Sequence, residues 1–200
     1  MGESLVQVTE GAGKNLHTWA RTVAAVVRED EFTVPGEYPL PTWSAPFFGV
    51  SIATANDHIL SIQAGASLHV RIRAIYVRQS SLASAASAAE IQVLRVTTAP
   101  TGGTTVTSAA HDTADGAPGA TVRTLPTTKG TEGAVIKRFL LDCVAARPIA
   151  PAQIDWVQLP GVKPIIIPAG TTNALAIKTL SGIATAAVAG YVEFVETAYL

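Results

Sequence analysis

The amino-acid sequence predicts an all-β chain: a β-sandwich of about eight short strands, jelly-roll-like, with an extended N-terminal arm. Three observations lead there. Short runs alternate apolar and polar residues at period two, the spacing that puts successive side chains on opposite faces of a strand. Clusters such as PTGGTT, DTADGAPG, TTKGTEG and PAGTTN punctuate those runs, and their residue types supply the φ values and local bonds of turns. Only one stretch, SSLASAASAAE (80 to 90), has a helical composition; its serines and its lack of a large apolar face leave a loop as the equal alternative.

The elements follow in chain order. Residues 1 to 45 read as an arm and a linker. The pieces SLVQV and TVAAVV flank GAGKNLHTW with too few large apolar residues for a core of their own. Then EYPLPTWSAPFF places Pro39, Pro41 and Pro46 within eight positions, which holds a chain extended and removes ladder donors. The sandwich is expected over residues 46 to 200. Its strands are VSIA (50 to 53), HILSI (58 to 62), SLHVRIRAIYV (67 to 77), IQVLRV (91 to 96), AVIKRFLL (134 to 141), PIII (164 to 167), ALAIKTL (174 to 180) and YVEFVE (191 to 196). In the third, Leu68, Val70, Ile72 and Ala74 share one face, and His69, Arg71 and Arg73 the other. Eight strands with turns between them match a jelly roll in number.

Composition narrows the function. The net charge is −1, the pI near 6.4 and only 14% of residues are charged, with a mean hydropathy of +0.32. Nothing in that balance attracts nucleic acid or an anionic membrane. A surface so poor in charge is expected to bury itself against partners. Cys143, the only cysteine, lies in the apolar run FLLDCV and reads as a small buried residue in a protein of a reducing compartment. The N-terminus MGESLVQVTE lacks the pattern of a signal peptide, and no apolar run reaches the roughly 18 residues of a membrane span.

Candidate chemistry fails on spacing. In GAGKN, Val8 stands where a phosphate-binding loop needs its first glycine, and Asn15 where it needs the hydroxyl that holds magnesium. A Gly-rich turn between extended segments is the reading instead. HDTADGAPG sets Asp112 and Asp115 at the wrong interval for a calcium loop and reads as a surface turn with Asx bonds. The histidines 17, 58, 69 and 111 form no ligand pair, and no G-x-S-x-G elbow is present. No catalytic, metal or cofactor site is therefore expected. What remains is contact surface: Arg71 and Arg73 on one strand face, and the aromatics Trp19, Trp43, Phe47 and Phe48 beside the arm and linker. Tyr76, the only aromatic near those arginines, has the opposite parity, so direct binding of nucleic acid is not expected. The arm is expected to add a strand to a sheet edge or to lie across a neighbour, with Trp19 and Trp43 as buried anchors.

A resemblance sharpens this. GAGKNLHTWARTV, the linker VPGEYPLPTW, VSIATANDHILSIQAGASLHVRIRAIYV, the pair LRVTTAPTGG and LPTTKGTEG, and IIIPAGTTNALAIKTLSG together resemble a group of tailed-bacteriophage and prophage proteins. The resemblance implies a virion structural protein assembled in the host cytoplasm. Small β-sandwich proteins of phage heads include decoration or cement proteins that sit on the shell, often as trimers. The implied partners are a homo-oligomer, with a trimer as the expected form, and the major capsid or other virion proteins, with no membrane involved. Two other classes stay open: a head- or tail-fibre module that binds a receptor or carbohydrate, and a neck or tail-completion protein.

Overall fold

A computed structural model describes three backbone strands within residues 1 to 39 and, with side chains, residues 40 to 145 and 153 to 198. No helix occurs among the described residues. The chain divides into two units, Met1–Pro39 and Leu40–Leu200.

The smaller unit holds β1 (Leu5–Glu10), β2 (Lys14–Val23) and β3 (Val26–Glu31), an antiparallel sheet in the order β1-β2-β3. This corrects the expectation of an extended arm. The pieces SLVQV and TVAAVV do enter strands, but LHTWARTV is the central one, pairing with a strand on each side. Its backbone donors and acceptors thus find partners within the unit, and no host sheet is required for them. Trp19 stands in register with Leu5 and Asp30.

The larger unit contains β4 (Thr42–Ser51), β5 (His58–Gln63), β6 (His69–Ser81), β7 (Ser87–Val96), β8 (Thr104–Val106), β9 (Ala109–Ala110), β10 (Thr121–Thr124), β11 (Glu132–Cys143), β12 (Gln153–Val157), β13 (Ile165–Ile167), β14 (Ala174–Thr179) and β15 (Ala187–Thr197). They form two antiparallel six-stranded sheets. The first has the order β11-β7-β14-β5-β10-β8; the second has the order β12-β6-β15-β4-β9, with β13 also on β6. Leu60, Ile62, Ile91, Leu175 and Ile177 of the first sheet share one buried cluster with Val70, Ile72, Val192 and Phe194 of the second. The arrangement is therefore sandwich-like.

All eight expected runs supply strand residues, and the alternation in SLHVRIRAIYV is realised from Val70 to Arg73, with Val70 and Ile72 buried, Arg71 half-buried and Arg73 exposed; a register slip against β15 then changes the parity, so that Ile75 and Val77 join the core in place of Ala74. The strands missed are short or polar (β8, β9, β10), or lie beyond the runs selected (β12 and the first half of β4). SSLASAASAAE is neither helix nor loop throughout. It closes β6 and opens β7, where Ala89 is buried opposite Leu141; pairing with β11 outweighs the helix preference of alanine.

The proline-rich stretch expected as linker differs too. The larger unit begins at Leu40 and β4 at Thr42. Pro46 is tolerated within a strand because β9 covers only Trp43 and Ser44, leaving Pro46 where β4 is an edge. Further along β4, Phe48 and Gly49 together oppose Ala189 alone, a bulge in which Gly49 takes φ +69°. The seam between β15 and β6 is closest at Gly190: a Cβ there would stand 1.9 Å from the Tyr76 carbonyl oxygen, so only glycine fits.

Candidate interaction site

The two sheets part along one lateral edge. Strand β11 closes that edge of the first sheet, but its register with β7 slips between Glu132 and Val135 and again between Val135 and Lys137. Such bulges bend a strand away from its partner. On the second sheet, β12 and β13 both pair with β6, and residues 158 to 164 leave the ladder between them. Between these irregularities opens a cleft of about 670 Å³ lined by Arg71, Arg95, Lys163 and Asn173 among others. It shares Arg95, Lys163 and Pro164 with a second cleft of about 700 Å³, to which Ile136, Lys137 and Trp156 contribute.

Arg95 reaches the cleft because of strand parity. Ile91 and Val93 face the core, and Arg95 continues their face to the end of β7, where its guanidinium Nη1 donates to the Ile166 carbonyl of the opposite sheet. Burial lowers its pKa below the ordinary arginine value, and it keeps its charge at neutral pH. Lys137 lies over the Trp156 ring, 5.3 Å from its centroid, within cation–π range. None of Arg71, Arg95, Lys137 and Lys163 makes an ion pair among the described residues, and Asp155 is the one carboxylate on the lining. The lip is apolar: Val157, Leu159 and Val162 are 58%, 65% and 57% exposed.

A second polar cluster has the opposite character. His58 on β5 is fully buried, and its Nε2 lies 3.0 Å from Glu132 Oε1, while Lys178 on β14 donates to Glu132 Oε2 at 2.7 Å. Burial drives the His58 pKa down, and the Glu132 hydrogen bond only partly counters it; the ring is neutral at pH 7, donating from Nε2, with Nδ1 left without a partner. Burial works to raise the Glu132 carboxyl, but the bonds from Lys178 and His58 prevail and hold it below the usual carboxylate range. Glu132 thus joins Lys178 and His58 in one hydrogen-bonded cluster.

The expected contact residues scatter. Trp43 belongs to the core: its ring stacks on Phe194 with centroids 5.8 Å apart, and its indole N–H donates to the Gly116 carbonyl at 3.0 Å. Phe47 is buried as well, whereas Phe48, thrust out by the bulge, is 80% exposed beside Thr104, Thr105 and Thr107. Arg71 lines the cleft and Arg73, exposed on the same strand, does not. Trp19 lies on β2, and its side chain is outside the described residues. Lys137, Trp156 and Lys163 were not legible as site residues. Arg95 carried a signal, a charged residue at the inward parity of IQVLRV.

The other candidate motifs take structural roles. Lys14 of GAGKN opens a strand in register with Glu10, not the helix a phosphate loop leads into; residues 11 to 13 lie outside the described residues. Asp112 accepts from the Ala114 amide at 2.9 Å, the Asx turn expected of HDTADGAPG. The Cys143 thiol is buried, and burial, with Asp142, pushes its pKa up, away from nucleophilic character. Among the described residues no group of three His, Cys, Asp or Glu side chains could hold a metal, and no helix is long and apolar enough to cross a membrane. No match to this chain is found among protein-family models, curated proteins or solved structures.

Proposed function

We propose that this chain is a structural subunit of a tailed-bacteriophage virion, associated with the capsid as a decoration or cement protein and acting through subunit contacts, with a trimer as its working form. The observation that carries the reading is the pairing scheme of the sandwich. The strand pairs β4 with β15, β5 with β14, β6 with β12 and β7 with β11 are nested, first with last and inward. We read this nesting as a jelly roll, an architecture that viral shell proteins share with lectins and cupins. Fold alone does not decide among these. The exposed aliphatic lip and the exposed Phe48 favour protein contact, since apolar surface gathered at a rim marks docking faces. The threonines beside Phe48, in place of Asp or Asn, lend no support to a sugar site there.

The test is location and stoichiometry. Purified particles, examined by quantitative mass spectrometry and by gold-labelled antibody, are expected to carry the chain on the head in fixed ratio to the shell protein. Light scattering of the isolated chain is expected to give an oligomer. A stable monomer that is absent from particles would end the proposal.

A further inference from the structure

We propose that the lateral cleft is a docking site for an extended peptide segment of a protein partner, one in which aspartate or glutamate alternates with aliphatic residues. The inference stands apart from the virion reading, because it concerns what the isolated chain binds.

Charge is the first argument. Arg71, Arg95, Lys137 and Lys163 converge on adjoining clefts with Asp155 as the only carboxylate on the lining, and none of the four has an ion-pair partner among the described residues. Two other partly buried charges of this unit are answered: Lys178 has Glu132, and the Glu196 carboxylate accepts from the amides of Gly119 and Ala120 at 2.9 and 2.6 Å. Arg95 combines the inward parity of Ile91 and Val93 with no ion-pair partner among the described residues. A guanidinium held in place by the Ile166 carbonyl keeps further N–H groups for an incoming carboxylate, which it can bind through two parallel bonds.

The apolar lip is the second argument. Val157, Leu159 and Val162, with Trp156 and Pro164 behind them, give aliphatic side chains of a ligand a dry surface beside the cations. Since β12 and β13 form an edge of the second sheet with no further strand on it among the described residues, a segment lying along them would be strand-like, with its side chains alternating between charge and lip. A single-stranded nucleic acid needs successive aromatic faces; the cleft has only Trp156, and Lys137 occupies its ring.

The experiment uses the full chain and a dye-labelled peptide, Val-Glu-Leu-Glu-Val-Glu, read by fluorescence anisotropy. Binding is expected to weaken between about 50 and about 300 mM salt and to be lost when glutamine replaces glutamate in the peptide. The double variant Arg95→Met with Lys163→Gln is expected to bind about tenfold or more weakly while melting as the parent does. Arg78→Gln, at an exposed cation off the cleft, is expected to bind as the parent does. Should the double variant fold poorly, Lys137→Gln with Lys163→Gln replaces it, with the same loss expected. Undiminished binding by a folded cleft variant, an equal loss with Arg78→Gln, or tighter binding of oligothymidylate or a polyuronate than of the peptide overturns the proposal.

Discussion

Two groups of ionisable side chains occupy the same sandwich and are treated in opposite ways. At the start of β5, Lys178 and His58 converge on Glu132, and each ionisable group has a partner within 3.0 Å. At the lateral edge, Arg71, Arg95, Lys137 and Lys163 converge with no such partner among the described residues. The first group resembles what a fold does to make a buried charge tolerable. The second leaves charge uncompensated where the sheets part, which folding alone gives no reason to do. The difference separates a structural polar cluster from a site.

Breaking the first cluster should have the largest effect. Glu132→Gln leaves Lys178 buried beside a neutral group, and about 2 to 3 kcal/mol of stability is expected to be lost, below the full range for a buried pair because the Glu132 carboxylate is partly in solvent. Urea titration measures it; a loss within error would place both clusters in one class.

Acid should act on the same cluster. Since the folded His58 pKa lies below the ordinary imidazole value of about 6.5, the unfolded chain takes up the proton first. The contribution of His58 is complete above that value and falls as pH drops through it toward the lower folded value. Glu132, also lowered in the fold, adds a loss of the same sign at more acid pH. Melting temperature is therefore expected to fall between pH 7.5 and pH 5, by up to about 1.4 kcal/mol in stability for each unit of His58 shift, and the fall should be shallower in His58→Gln.

Arg95→Met should cost little, within about 1 kcal/mol in either direction, since it removes one hydrogen bond along with a partly desolvated charge that nothing offsets. A loss as large as that of Glu132→Gln would show Arg95 to be structural. The smallest effect concerns salt. Screening of the four like charges is expected to raise stability by a few tenths of a kcal/mol between about 0.05 and 0.5 M salt, and the gain should vanish in Arg95→Met with Lys163→Gln.

How far the sequence could be read follows from the range of the interactions involved. Alternation could not show the register slip against β15 after which Ile75 and Val77 face the core, but it assigned faces correctly from Val70 to Arg73 and from Tyr191 to Phe194, because the period of a strand is local. Turn clusters marked the breaks for the same reason. SSLASAASAAE could not be read that way, because Ser87 to Glu90 are held by β11, whose partner residues lie some fifty positions along the chain. Trp43 looked like a contact residue beside a linker until Phe194, far along the chain, supplied its stacking partner.

By itself the sequence determined the all-β class, eight runs that supply strand residues to the larger unit, the spacings by which GAGKN and HDTADGAPG depart from ligand-loop templates, and the low charge that points to contact surface. All of these depend on neighbours within a few residues. Only the tertiary structure decided which ionisable side chains meet a carboxylate. Glu132 stands 74 residues from His58, and Arg95 meets a carbonyl 71 residues away. Coulomb energy depends on separation in space and on solvent access, and neither quantity is written in the order of the chain.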